Sequence, residues 1–264
     1  MEPIRWNLDP VIMHLGDFPV KYYSLLFATG VALGYIIVRR AYQKEGMSTE
    51  SLDTLATYIV LGIIIGARLG HCLFYEPAYY LQNPIEMLLP IQKIEGSYQF
   101  TGYLGLASHG GAIGVLIAIL WYCRNYKVKL WYLLDKIALA TPITAACIRL
   151  GNFMNSEILG EPTGGRFGVI FERVDQLPRH PAQLYEAGAY VFIFLLLTKV
   201  YQSKKQYPSG FITGLMLTLL FTARFIIEFS KINQVQFEEG MLLNMGQWLS
   251  IPFIILGILL MKLR

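Results

Sequence analysis

Residues 209–229 read SGFITGLMLTLLFTARFIIEF, a stretch apolar almost throughout, with Arg224 and Glu228 near its end. About 20 such residues cross a bilayer as a helix. An arginine inside such a helix costs roughly 2.5–3.5 kcal/mol on insertion scales. Arg68 and Arg149 pose the same problem, each within or at the edge of another apolar stretch. The usual remedy is a buried anionic partner, and the planar guanidinium fork suits phosphate better than chloride or a lone water. The chain therefore reads as a membrane protein that handles a phosphate-bearing substrate within its own bundle.

The totals agree. The chain has 264 residues, 55% hydrophobic and 15% charged, and a mean hydropathy of +0.45, figures that exclude an ordinary soluble domain. Apolar windows of helical length fall near 22–38, 54–75, 103–122, 130–151, 183–200, 209–229 and 244–261. These predict an all-α integral membrane protein, a single polytopic domain over 1–264 with seven transmembrane helices. The third window also admits a broken or re-entrant form, because Gly102, Gly105, Gly110, Gly111 and Gly114 crowd it. One set of connections carries twelve basic residues and the other seven over longer loops, which puts the N-terminus outside and the C-terminus in the cytoplasm. The outside loops are then about 76–102, 152–182 and 230–243, together with the first 21 residues. That leading segment holds Arg5, Asp9, Pro10, Asp17 and Pro19 and lacks the compact apolar core of a cleavable signal peptide. Trp121-Tyr122, Trp131-Tyr132 and Tyr79-Tyr80 resemble interface belts.

In this topology Arg68, His109, Arg149 and Arg224 fall at one level, on four separate segments. A single site opening outward accounts for that; snorkelling to the headgroups is the bland alternative for each arginine. Glu228, four residues after Arg224, shares its helical face, either as a structural ion pair or as the group that holds a substrate-binding guanidinium. Arg149 and Asn152 share a face, and Asn152, Asn155 and Glu157 serve either a site or the exposed backbone at a helix end. His109 precedes Gly110 and Gly111, which permit close backbone approach; an interhelical hydrogen bond is its other reading. His180, Gln183, Tyr185 and Glu186 mark a further polar-to-apolar transition. Cys72, Cys123 and Cys147 form no CxxC pair and read as packing thiols. No HExxH, DxD or tight carboxylate cluster implies a metal, and no cofactor or nucleic-acid partner is indicated.

These motifs form a recognisable set. RLGNFMNSEILG at 149–160, SHGGAIG at 108–114, HPAQLYE at 180–186, ARFIIEF at 223–229 and Met245-Gly246-Gln247 occur in order. Together with Tyr23-Ser24, they closely resemble bacterial phosphatidylglycerol–prolipoprotein diacylglyceryl transferases over residues 20–260. The family pattern has glycine directly before the arginine, where this chain has Ile148, and the connection holding Glu95-Gly96-Ser97 is longer. The resemblance implies a multi-pass protein of the bacterial inner membrane with its site toward the periplasm. It also implies transfer of diacylglycerol from phosphatidylglycerol to the lipobox cysteine of a prolipoprotein, releasing glycerol phosphate. On this reading Arg149 and Arg224 meet phosphate, with Arg68 a further contributor. His109 is the candidate base and Glu157 the second candidate, while Asn152, Asn155, Tyr23, Gly110, Gly111 and Glu228 bind or support substrate. A transporter for organic phosphates and a non-catalytic lipid-binding protein are the competing classes. A transporter predicts paired repeats and polar residues at both faces, whereas the polar residues here gather at one.

Overall fold

The computed structural model describes residues 2–262 except 17, 90, 95, 101–104, 106, 166, 204 and 233–239. Gly102, Glu95 and half of the 230–243 connection thus lie outside the described residues. In chain order the elements are β1 (Ile4–Trp6), β2 (Val11–Leu15), β3 (Phe18–Lys21), α1 (Tyr22–Lys44), α2 (Thr49–Phe74), α3 (Pro77–Gln82) and α4 (Pro84–Leu88). There follow β4 (Ile91–Ile94), β5 (Ser97–Phe100), α5 (Ser108–Tyr126), α6 (Leu130–Met154), β6 (Val169–Phe171) and β7 (Pro178–Arg179). The chain ends with α7 (Ala182–Gln202), α8 (Phe211–Ile227), a 3-10 turn at Glu228–Ser230, and α9 (Met245–Lys262).

The protein is mostly helical. Among the described residues six helices are long and apolar enough to cross a membrane: α1, α2, α6, α7, α8 with its terminal turn, and α9. The remaining expected window folds as α5, a 19-residue helix that starts at Ser108 and ends on Arg124-Asn125-Tyr126. Gly110, Gly111 and Gly114 are helical within it. The short strands were not expected; they lie in the segments between the long helices and before the first.

The chain divides into two compact units, Tyr42–Leu130 and the remainder. In the first of these, α2 and α5 pack through glycines. Gly62, Gly66 and Gly70 recur every fourth residue and so share one face of α2. They meet Gly110 and Gly114 so closely that a Cβ on Gly66 would fall 2.4 Å from the Gly110 carbonyl oxygen, and one on Gly114 2.0 Å from that of Gly62. Lipid removes the hydrophobic drive between membrane helices, so close van der Waals approach of small residues does the joining. Tyr122 pins one end, sharing a 2.5 Å hydrogen bond with Ser51 Oγ. The Ala107 amide donates to the Ala67 carbonyl at 2.9 Å at the other. Tyr122 and Tyr80 are buried, not exposed as the expected interface belts would have them.

The larger unit contains α1 and α6–α9. Thr144 Oγ1 donates to the Gly30 carbonyl at 2.9 Å, and Gly30 lies against Cys147, so α1 and α6 also approach through a glycine. Ala146, Ala187, Tyr190, Leu197, Ile212 and Met216 belong to its buried core. Gly210, which precedes α8, has no side chain to cap it. Asp135 of α6 does so from across the bundle, accepting from the Gly210 and Thr213 amides at 2.7 and 2.8 Å. β1 runs parallel to β6 and β7 antiparallel to it, and Trp6, Phe153, Val169 and Phe171 form a small apolar cluster beneath them.

A branched side chain at the α2–α5 contact should separate the helices. Gly66→Val and Gly114→Val are each expected to cost about 1–3 kcal/mol, whereas Gly111→Ala, whose added carbon would sit 3.6 Å from Ala67 Cβ, should be nearly neutral. Thermal unfolding of the purified protein in detergent checks the contrast, and equal losses at all three positions would contradict it.

Candidate active site

The C-terminal end of α6 is shaped by its own sequence. Ser156 adopts the left-handed conformation at φ +55°, and its amide bonds the Phe153 carbonyl while that of Glu157 bonds the Asn152 carbonyl. This is a Schellman ending without its usual glycine. It folds Glu157 back over the helix terminus. There the Glu157 carboxylate accepts from Asn152 Nδ2 at 3.2 Å and Asn155 Nδ2 at 3.1 Å. Asn152 Oδ1 in turn accepts from Arg149 Nη1 at 3.3 Å. Ile148 beside this arginine is half-buried. Tyr23, at the start of α1, packs its ring on Gly151, where a Cβ would come within 2.8 Å of it.

A second layer of charge lies against Arg149. Its Nε is 2.8 Å from Glu186 Oε2, with side-chain exposures of 16% and 0%. This is an ion-pair contact in which the N–H does not line up as a hydrogen bond. Glu186 Oε1 is 2.9 Å from Lys231 Nζ and accepts from the Tyr190 hydroxyl at 3.3 Å. Lys231 also reaches Glu228 Oε2 at 3.0 Å. The Lys231 backbone is fixed by the motif that carries Arg149. Gly160 bridges Lys231, the Glu161 amide donates to the Ser230 carbonyl at 2.8 Å, and the Ile232 amide to that of Leu159. Only glycine fits at 160, since a Cβ there would fall 2.3 Å from the His180 carbonyl oxygen. Gln183 Nε2 bonds the Glu157 carbonyl, which ties α7 to the same loop. The rest of that connection is held by Arg179, which grips Asp175 and also donates to the Gly160 carbonyl at 3.2 Å. The guanidinium holds the Asp175 carboxyl below the usual carboxylate range.

Arg224 lies near the end of α8. It acts electrostatically on the Tyr190 hydroxyl, as do Arg149 and Glu186. Its Nε is buried and has no hydrogen-bond partner among the described residues. The expected pairing with Glu228 is not found there. The α-helix stops at Ile227, and the 3-10 turn that follows carries Glu228 to Lys231 and against Gly246 instead.

The smaller unit holds Arg68, His109, Gly110 and Gly111. Arg68 is buried, with Nη2 donating to the Glu86 carbonyl at 2.6 Å, Nε to that of Met87 at 3.3 Å, and the Tyr80 ring 4.8 Å from its guanidinium carbon. Glu86 is buried beside it and accepts from the Tyr79 hydroxyl at 2.6 Å and the Lys93 amide at 3.0 Å. Arg68 thus fastens Glu86 and Met87 to α2. Gly110 gives close approach to α2, not open space for a ligand, while Gly111 meets only ordinary van der Waals contacts. His109 is exposed.

Glu186 and Lys231 stand at the centre of the larger unit's cluster, yet neither was among the expected site residues. Glu186 had a visible signal: a carboxylate inside an apolar helix is as costly as an arginine and asks equally for a partner. Lys231 had none, because it follows the apolar window and resembles an ordinary loop lysine.

A sequence model described as "Prolipoprotein diacylglyceryl transferase" matches residues 10–263. A protein of Tolumonas auensis named phosphatidylglycerol–prolipoprotein diacylglyceryl transferase is 52% identical over 260 residues, covering 98% of this chain and 96% of that one. Proteins of the same name from Bacteroides fragilis, with 98% of this chain and 94% of theirs covered, and from Chloroherpeton thalassium, with 97% and 92%, are 50% and 41% identical. With matches of this extent, the chain belongs to the prolipoprotein diacylglyceryl transferase family.

Proposed function

We propose that this membrane protein transfers the diacylglyceryl group of phosphatidylglycerol to the lipobox cysteine of a prolipoprotein. The sulfur forms a bond to the glyceryl carbon as that carbon's bond to the phosphate oxygen breaks. The thiol proton passes to a base, and glycerol phosphate leaves. The observation that carries this reading is Arg224, whose buried Nε lacks an acceptor among the described residues, while Arg149 is paired with Glu186. A buried charged donor without a partner costs roughly 1–3 kcal/mol or more, and a lipid phosphate meets that need.

A phosphodiester carries about one negative charge, and the departing monoester approaches two. Fixed guanidinium groups therefore bind the transition state more strongly than the ground state, as catalysis requires. Arg149 and Arg224 are assigned to the phosphate and the leaving group. Asn152, Asn155 and Tyr23 line the end of α6 where the headgroup glycerol would lie, and Glu228 acts through Lys231. A free thiol has a pKa near 8.5 and is mostly protonated at neutral pH. His109, exposed and imidazole-bearing, is the base we assign, with Glu157 as the second candidate. Arg68, whose donors go to backbone carbonyls, supports the fold of its own unit. The basic-residue bias supports an inner-membrane protein with α5 as a seventh span, the N-terminus and the site being periplasmic.

Arg224→Ala should lower thioether formation by at least about 10²-fold while the protein still inserts; near-normal turnover would remove the assignment. The assay is direct: purified protein, phosphatidylglycerol and a lipobox peptide should give a peptide heavier by one diacylglyceryl unit. Phosphate flux without peptide modification would favour a transporter. His109→Gln should slow the reaction by about 10²–10⁴-fold at every pH. If it only moves the pH optimum, the base lies elsewhere, and the same test on Glu157→Gln decides the second candidate.

A further inference from the structure

Arg149 must satisfy two demands that conflict. It needs a carboxylate to hold it in an apolar surrounding, and it must keep enough positive charge to attract an anionic headgroup. A single buried glutamate would meet the first demand at the expense of the second. Here the Glu186 carboxylate is divided, with Oε2 2.8 Å from Arg149 Nε and Oε1 2.9 Å from Lys231 Nζ. Lys231 is itself buried, 2% exposed at the side chain, and touches Glu228 3.0 Å away. It is the one cation among the described residues in contact with both carboxylates. Its backbone is held by Gly160 and by the 3-10 turn, so the ammonium stands at a fixed place behind Glu186.

We propose that Lys231 is a positioning residue for phospholipid binding. By neutralising Glu186 through the oxygen that Arg149 does not meet, and Glu228 beside it, it lets Glu186 orient the guanidinium without cancelling its charge toward the phosphate. The inference rests on the reading that Arg149 meets that phosphate. Without Lys231, the whole charge of Glu186 falls on Arg149, Glu228 is left without its cation, and the guanidinium attracts the lipid phosphate less. Loss of Lys231 then weakens lipid binding more than it slows the chemical step, and removing one carboxylate as well repairs the loss.

Initial rates of the full-length protein at varied phosphatidylglycerol and fixed lipobox peptide provide the test. Lys231→Met should raise KM for the lipid on the order of tenfold, with a smaller change in kcat. Lys231→Arg should restore KM, and the double variant Lys231→Met/Glu228→Gln, which keeps Glu186 on Arg149, should bind lipid better than Lys231→Met alone. The double variant removes Lys231 and Glu228 together and leaves Glu186 paired with Arg149, so it tests the idea even if the single variant does not fold. A lower Tm with an unchanged KM, or a double variant whose KM is no better than that of the single, overturns the proposal while leaving Arg149 in place. Full activity in Arg149→Ala overturns it together with the phosphate reading.

Discussion

The carboxylate of Glu186, wholly removed from solvent, has to be neutralised, and two cations from separate segments do so. Arg149 approaches from the end of α6 and Lys231 from the turn after α8. Because α7 supplies the acid, that one shared group ties three helices together at the same end of the larger unit. The rest of the local structure follows from it. Lys231 can reach Glu186 only because residues 159–161 run beside 230–232, and those residues run there only because Gly160 lets the backbones touch. Removing one member of such a buried set typically costs 3–5 kcal/mol, since the charge left behind has no solvent to turn to.

Elsewhere the bundle is held by means suited to a lipid surrounding. Glycines at 62, 66, 70, 110 and 114 bring two backbones into contact, and Gly214 against Gly257 does the same for α8 and α9. Asp135 supplies to α8 the cap that Gly210 cannot. These contacts are short and directional, so they fix helix register as well as proximity. Fixed register is what a cluster built from side chains on α6, α7 and α8 requires.

The sequence reading and the structure part company for identifiable reasons. The long helices were legible because apolar runs of that length have few other uses, and Arg149 and Arg224 stood out because each is expensive where it sits. Glu228 was matched to Arg224 by i,i+4 spacing, but spacing assumes that the helix continues, and it stops one residue earlier. Gly110 resembled a ligand-approach glycine beside His109; its actual neighbour, Gly66, is distant in sequence and joined only by tertiary packing. Arg68 was grouped with the other arginines by its cost in an apolar stretch and by its depth, since nothing local announces that backbone carbonyls will accept from it. The strands β1, β6 and β7 pair the first residues of the chain with a loop far downstream, and three-residue segments leave no periodicity to read.

The central claim is that the guanidinium groups of Arg149 and Arg224 hold the phosphate of the diacylglyceryl donor. Solid-state NMR measures this most directly, through the dipolar coupling between guanidinium ¹⁵N and the ³¹P of bound phosphatidylglycerol, with single Arg→Lys variants to assign the signals. The account predicts nitrogen–phosphorus contacts within about 4 Å, as hydrogen-bonded pairs require, each lost when Arg149 or Arg224 is replaced. A strong coupling that survives both replacements, or that depends on Arg68, would contradict it.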